Sequence, residues 1–216
     1  MTNSKAFQAT IYLLRHGEIA TTGILAGRTD VAVSDMGYQQ LNLASAKIEN
    51  ALKGEHQKLA YCITSPLQRC KTWAEDYCQS NEIDFEVADD IQEMDFGDWD
   101  GLSYQNLWQL GENKEKPNIG DFWQDPWNNA VPNGETMAVF SRRIDRWWQA
   151  LLARKLAQPT LVVCHGGVIK HLIARILSMP IETAHHLSAI DVPYAGVIKI
   201  SIYYDEAGGA YPKLCF

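Results

Sequence analysis

Apolar positions along the chain alternate between two periods. Thr10-Ile11-Tyr12-Leu13-Leu14 is a short continuous apolar run that stops at Arg15-His16-Gly17, the pattern of a strand buried on both faces and running into a loop. Ser34 then offers an N-cap oxygen, and Leu41, Ala44, Ile48 and Leu52 follow at helical spacing. A second strand is predicted over Leu59 to Thr64. Behind it, Ser65 and Pro66 suit the N-cap and first position of a helix from Leu67 to Gln79. Ile83-Asp84-Phe85-Glu86-Val87 alternates as a third strand, and a long helix carries Met137, Phe140, Ile144, Trp147, Trp148 and Leu151. Thr160 to Cys164 reads as a fourth, buried strand. Gly166-Gly167 leads from it into a helix over Val168 to Leu177, and Val197 to Tyr204 alternates as a late strand.

Strands alternating with helices predict an α/β fold: three layers, α/β/α, around a mostly parallel central sheet. Ligands of such sheets sit beyond the carboxyl ends of the strands. Two predicted strands end in a histidine, His16 and His165, and a third ends just before Arg69, so three polar groups converge on one rim. The stretch from about 100 to 135 breaks the rhythm with Gly111, Pro117, Gly120, Pro126, Pro132 and Gly134. It is too short to bury a core of its own and reads as an inserted cap segment over the rim of a single domain spanning 1–216. Trp99, Trp108, Trp123 and Trp127 cluster in or beside it, four of the seven tryptophans in the chain.

Composition narrows the function classes. The 216 residues are 46% hydrophobic and 21% charged, ordinary globular usage that excludes disorder and fibrous repeats. No run approaches the roughly 18 apolar residues of a membrane helix. The N-terminal apolar run is short, lacks a small-residue cleavage site and reads as a first strand, not a signal peptide. Five cysteines without CxxC spacing predict reduced thiols in a cytoplasmic protein. A formal charge of −7 with no basic stripe argues against a nucleic-acid surface, while a locally positive pocket for an anionic small molecule remains compatible with it.

Four motifs carry chemistry, in this order: Leu13-Leu14-Arg15-His16-Gly17-Glu18; Ser65-Pro66-Leu67-Gln68-Arg69-Cys70 with Thr72 and Ala74; Glu93-Met94-Asp95-Phe96-Gly97-Asp98-Trp99; and Val162-Val163-Cys164-His165-Gly166-Gly167. Together, over roughly residues 7 to 180, they resemble the histidine phosphatase superfamily, the phosphoglycerate mutase and phosphatase group. The resemblance implies a phosphoglycerate mutase-like fold and a phosphomonoesterase working through a phosphohistidine.

The residue types suit that chemistry. Phosphoryl transfer needs a nucleophile, positive donors on the phosphoryl oxygens and an acid for the leaving group. His16 can attack phosphorus through a neutral ring nitrogen. Arg15 and Arg69 offer planar forks that match phosphoryl oxygens. His165 adds a donor, expected as an imidazolium beside a phosphate dianion, and the Gly166 N–H opens a helix toward the anion. The resemblance assigns these roles to Arg15, His16, Arg69 and His165. It places the acid before the Phe-Gly-x-Trp segment, which selects Glu93 over Asp95, Asp98 and Asp100. A free glutamate titrates near ~4.3, so Glu93 needs burial or nearby negative charge to hold its proton. One departure stands out: Thr22 occupies the position where many members of the group carry a phosphate-contacting Asn. Glu18 either steadies the phosphate loop or sits on its edge.

The other histidines are read as structural. His165 and His171 lack a metal-ligand spacing, His185-His186 lie in a polar patch suited to the surface, and His56 sits in a solvated turn. No metal and no cofactor are expected, and the expected partner is a small-molecule phosphate ester, with neither nucleic acid nor membrane.

Within the superfamily, the Glu93–Trp99 block, Ala130-Val131-Pro132-Asn133-Gly134-Glu135 with Phe140-Ser141-Arg142-Arg143, and Leu172-Ile173-Ala174-Arg175 with Met179-Pro180 are similar to α-ribazole-5′-phosphate phosphatases of cobalamin nucleotide-loop assembly. A broad or sugar-phosphate phosphatase, a mutase, and a non-catalytic phosphate-binding module are the alternatives; intact His16 and Glu93 argue against the last. Trp123 and Trp127, flanking Gln124-Asp125-Pro126, are the candidates to face a flat leaving group, with Trp99 and Trp108 pinning the segment to the sheet.

Overall fold

The first apolar run is buried on both faces because it forms an interior strand. The computed structural model describes residues 5–110, 117–180, 182 and 185–215. Its strands are β1 (Phe7–Arg15), β2 (Tyr61–Thr64), β3 (Asp84–Val87), β4 (Thr160–Cys164), β5 (Val197–Tyr204) and β6 (Ala210–Cys215). They form one six-stranded sheet in the order β3-β2-β4-β1-β5-β6. The first four are mutually parallel, while β5 runs antiparallel to β1, and β6 antiparallel to β5. The sheet is thus mixed, with a parallel core and an antiparallel edge. The sequence pattern gives no sign of β6, which carries Pro212, a residue tolerated where a strand has an unpaired edge.

Alternation along the central strands covers the sheet on both sides. Tyr12, Leu14, Leu161 and Val163 pack with Leu41, Ile48 and Leu52 of α1 (Asp35–Gly54) and Trp73 and Ala74 of α2 (Gln68–Asn81). Ile11, Leu13, Val162 and Cys164 face the opposite layer. That layer includes α3 (Tyr104–Leu110), α4 (Ile119–Gln124), α5 (Met137–Ala153) and α6 (Gly166–Ile176). A last short helix, α7 (His185–Ala189), precedes β5. Leu107, Ile119 and Phe122 are buried in this second layer, so the stretch from 100 to 135 contributes side chains to the main core; Gly111 lies outside the described residues.

Of the two helix caps expected, Ser34 holds and Ser65 does not, and Thr136 is a third that the sequence pattern did not mark. Ser34 accepts from the Gly37 N–H, and Thr136 caps α5 by accepting from Val139. Ser65 does not cap α2: the helix begins at Gln68, and its cap position, Leu67, brings no side-chain bond. The Ser65 hydroxyl accepts only a long bond from Leu67 N–H at 3.4 Å and lies closer to His165, at 2.7 Å. All five cysteines are free, four of them buried. Among the described residues no helix is long and apolar enough to cross a membrane.

The topology delivers the candidate residues to one place. Strands β1, β2 and β4 end together at Arg15-His16, Ser65 and His165. Because β5 runs the other way, its beginning lies beside Leu14, and the residues before it reach the same rim. Arg15 N–H donates to Gly196 O, and Ala195 N–H to His16 O.

Candidate active site

His16 lines a cavity of about 240 Å³ beyond the strand ends. Its Nδ1 lies 2.8 Å from Gly17 O. A carbonyl only accepts, so Nδ1 carries the proton and Nε2 keeps the lone pair. Burial, then Arg69 and Arg15, outweigh this bond and push the imidazole pKa down to about 3. The ring is therefore neutral at neutral pH, with the Nε2 lone pair available. Its loop is pinned by close backbone approach: a Cβ on Gly17 would lie 2.1 Å from Gly37 O.

Arg69 is fully buried behind this ring. Nη1 donates to Thr29 O at 2.9 Å, Nη2 to Gly27 O at 2.6 Å and Ala26 O at 3.3 Å, and Nε to His165 Nδ1 at 3.3 Å. Four of the five guanidinium N–H groups are therefore engaged by the protein. His165 Nδ1 must accept, so its proton is on Nε2, which donates to Ser65 Oγ at 2.7 Å. These bonds describe a neutral ring; the imidazolium expected from the sequence is the form beside a phosphate dianion. Burial, Arg69, His16 and Arg15 all hold its pKa well below the usual value, because a further cation is disfavoured there.

Arg15 faces the cavity. Its Nη1 donates to Val192 O at 2.6 Å, and the guanidinium lies 4.3 Å from the centroid of the Tyr194 ring. Its Nε is buried with no hydrogen-bond partner among the described residues, and a Cβ on Gly166 would lie 3.4 Å from it. A buried cationic N–H without an acceptor costs on the order of 1–3 kcal/mol, so this donor is set for an anionic ligand.

Glu93 stands on the facing wall. Its Oε2 accepts from the Gly167 N–H at 3.0 Å and its Oε1 from Met94 N–H at 3.2 Å, which ties the carboxylate to the first turn of α6. Arg143 fixes the approach to it. Nη1 donates to Asp90 O and Gln92 O, while Nε and Nη2 grip both oxygens of Glu135 at 3.0 and 2.8 Å in a buried bidentate pair. The neighbouring acids are used elsewhere. Asp95 accepts from Gly97 N–H, Asp98 from Asn133 Nδ2, and Asp100 from four backbone N–H groups.

Beyond Arg15, His16 and Glu93 the cavity has an apolar side formed by Leu25, Met94, Phe96, Phe122, Met137 and Phe140. Tyr104, Trp123 and Tyr194 stand around it with substantial exposure, and Lys170 adds a cation, its Nζ donating to Leu187 O.

With this geometry in view, comparison with known proteins is direct. A family profile described as Histidine phosphatase superfamily (branch 1) matches residues 11–209. The chain belongs to the histidine phosphatase superfamily. This histidine phosphatase is 30% identical, over 192 residues, to the adenosylcobalamin/alpha-ribazole phosphatase of Escherichia coli (strain K12), covering 84% of this chain and 89% of the relative. An alpha-ribazole phosphatase from Shigella flexneri superposes with a TM-score of 0.73 at 24% identity, covering 95% of each chain. A mycobacterial glucosyl-3-phosphoglycerate phosphatase superposes at 0.77 with 20% identity, covering 96% of this chain and 97% of the other. At these identities the two structures establish the fold.

In this histidine phosphatase, Arg15, His16, Glu93 and Gly166 meet at the cavity wall, and Arg69 and His165 lie directly behind them. Thr22 is exposed and outside the wall. Glu18 steadies the loop: its carbonyl accepts from Ser34 N–H, and its own N–H donates to Gln40. His171 is buried, with Nε2 2.7 Å from Asp145. His186 is buried as well, against the surface role expected, because α7 folds back onto α6; the side chain of His185 lies outside the described part. Trp99 is core, as expected, but Trp108 is exposed and lies against Gly120. Trp123 lines the cavity, whereas Trp127 packs on the core with its indole N–H buried. Tyr194 and Tyr104 carry no motif, so nothing in the sequence pattern marked them.

Proposed function

We propose that this histidine phosphatase hydrolyses α-ribazole 5′-phosphate in cobalamin nucleotide-loop assembly, as a cytoplasmic enzyme acting on a small-molecule ester. The observation that carries this reading is the cavity wall: Leu25, Met94, Phe96, Phe122, Met137, Phe140 and Trp123 suit a dimethylbenzimidazole far better than a carboxylate or a sugar. The E. coli relative named for α-ribazole supports it.

His16 Nε2 attacks phosphorus and the bond from phosphorus to the ribose oxygen breaks, Glu93 giving its proton to that oxygen. Glu93 then takes a proton from water, whose oxygen attacks the phosphohistidine; the N–P bond breaks and phosphate leaves. Arg15 and the Gly166 N–H hold the phosphoryl oxygens, with the Arg69 charge and His165 behind them. The segment 100–135 acts as a cap through Tyr104, Phe122 and Trp123, within one working domain.

A panel of kcat/KM values tests this. α-Ribazole 5′-phosphate should exceed 3-phosphoglycerate and simple sugar phosphates by at least tenfold; equal values would favour a broad phosphatase. Quenching turnover of labelled substrate should trap an acid-labile, base-stable adduct, absent in His16→Ala. An adduct that persists in that variant would remove His16 from the role.

A further inference from the structure

The carboxylate of Asp100 joins two parts of the site that no covalent path links closely. One side is the loop 26–29: Asp100 Oδ1 accepts from Gly27 N–H at 3.1 Å and Thr29 N–H at 2.9 Å, and Oδ2 from Arg28 N–H at 2.6 Å. The other side is the segment that follows Glu93, where Oδ2 also accepts from Phe96 N–H at 3.2 Å. The same loop turns its carbonyls the opposite way. Ala26 O, Gly27 O and Thr29 O are the three that accept from Arg69. The Ala26–Gly27 and Gly27–Arg28 peptides are thus held at both ends, the amides by the anion and the carbonyls by the guanidinium.

We infer that Asp100 is a positioning residue for phosphoryl transfer, setting Arg69 against the segment that carries Glu93. Four N–H groups converge on two carboxylate oxygens, an acceptor-only arrangement that a neutral amide cannot reproduce, since an asparagine NH₂ would face a backbone N–H. The packing leaves no slack around it. A Cβ on Gly27 would lie 2.4 Å from Asp100 Oδ2 and 2.2 Å from Met94 O, and Gly101, at φ +79°, brings the chain back beside Thr29. Leu25 and Leu102 hold the two segments side by side through Leu25 N–H to Leu102 O and Gly101 N–H to Leu25 O. If the carboxylate is lost, the three carbonyls are no longer aimed, and Arg69 moves relative to His16 and Glu93.

The test is a double-mutant cycle on p-nitrophenyl phosphate, which does not depend on the natural substrate. Asp100→Asn should lower kcat roughly 10–100-fold, the loss that follows misplacement of a catalytic group by about an ångström, with melting temperature recorded beside it. In an Arg69→Ala background the same change should cost less than about threefold, because its effect runs through Arg69. The dissociation constant of inorganic phosphate, read by calorimetry in the four proteins, should show the same non-additivity even where turnover is too slow to measure. Asp100→Glu, which keeps the charge and shifts it by one methylene, replaces Asp100→Asn if the amide variant does not fold. Equal losses in both backgrounds, or wild-type kcat with only a lower melting temperature, would reduce Asp100 to a fold-stabilising residue.

Discussion

The Gly167 N–H meets Glu93 Oε2 at 3.0 Å, and a methyl group on Gly167 would lie 2.4 Å from the other oxygen of that carboxylate. The glutamate is the flexible partner, so Gly167→Ala should displace the acid and leave α6 in place. General acid catalysis is worth ~10²–10⁴-fold. The variant, like Glu93→Gln, should lose about 10²-fold in kcat on an alkyl phosphate and within about threefold on p-nitrophenyl phosphate, whose leaving group needs no proton. Equal losses on both esters would take the acid role away from Glu93.

The His16 ring should stay neutral throughout the working range. With its pKa lowered to about 3, its ¹³C-labelled imidazole signal should show no titration between pH 5 and 8; a midpoint near 6.5 would contradict the assignment. Stability follows by linkage. Between about pH 3 and 6.5 the unfolded chain binds a proton at this histidine and the folded chain does not, so stability rises with pH and is lost on acidification. His165 and His171 are shifted the same way by burial. The melting temperature should therefore fall as pH drops below about 6.5, and His16→Gln should flatten part of that slope.

Trp123 and Trp127 should separate cleanly. Trp123 lines the cavity, with its ring 5.0 Å from Phe122, while Trp127 packs on the core. Trp123→Ala should raise KM for α-ribazole 5′-phosphate about threefold to tenfold, the worth of one stacked ring, and spare p-nitrophenyl phosphate. Trp127→Ala should lower the melting temperature with KM unchanged. The reverse pattern would move the leaving group to Trp127.

Chelation should not affect turnover. Arg15 and Arg69 already bring the positive charge that a cation would supply to the phosphoryl oxygens, and among the described residues no group of three His, Cys, Asp or Glu side chains gathers to hold a metal. Loss of activity in EDTA, restored by Mg²⁺ or Zn²⁺, would overturn that.

The layered sheet was legible because Leu13-Leu14 and Val162-Val163 are apolar at every position, as strands covered on two faces must be. Arg15, His16, Glu93 and His165 were legible because each follows or faces a strand end in a contiguous motif. What escaped was long-range. Ser65 looks like a helix cap until His165, a hundred residues away, takes its hydroxyl. Tyr194 reaches the site only because β5 runs antiparallel, and no local pattern announces strand direction. The division between Trp123 and Trp127 depends on which face of a short, irregular segment turns inward, and no sustained period exists there to read it.

Among the described residues, the bonds of Arg69 to Thr29, Gly27, Ala26 and His165 leave one of its N–H groups over. A phosphate entering the site meets a fixed positive charge here in place of a free two-pronged grip. That attraction acts on ester and on inorganic phosphate alike, so it gives the two little difference in residence time. On the proposed function, the ester also has a leaving group for the apolar wall to hold, and the product does not. On that reading, weak inhibition by inorganic phosphate is the expected companion of an arginine so firmly tethered.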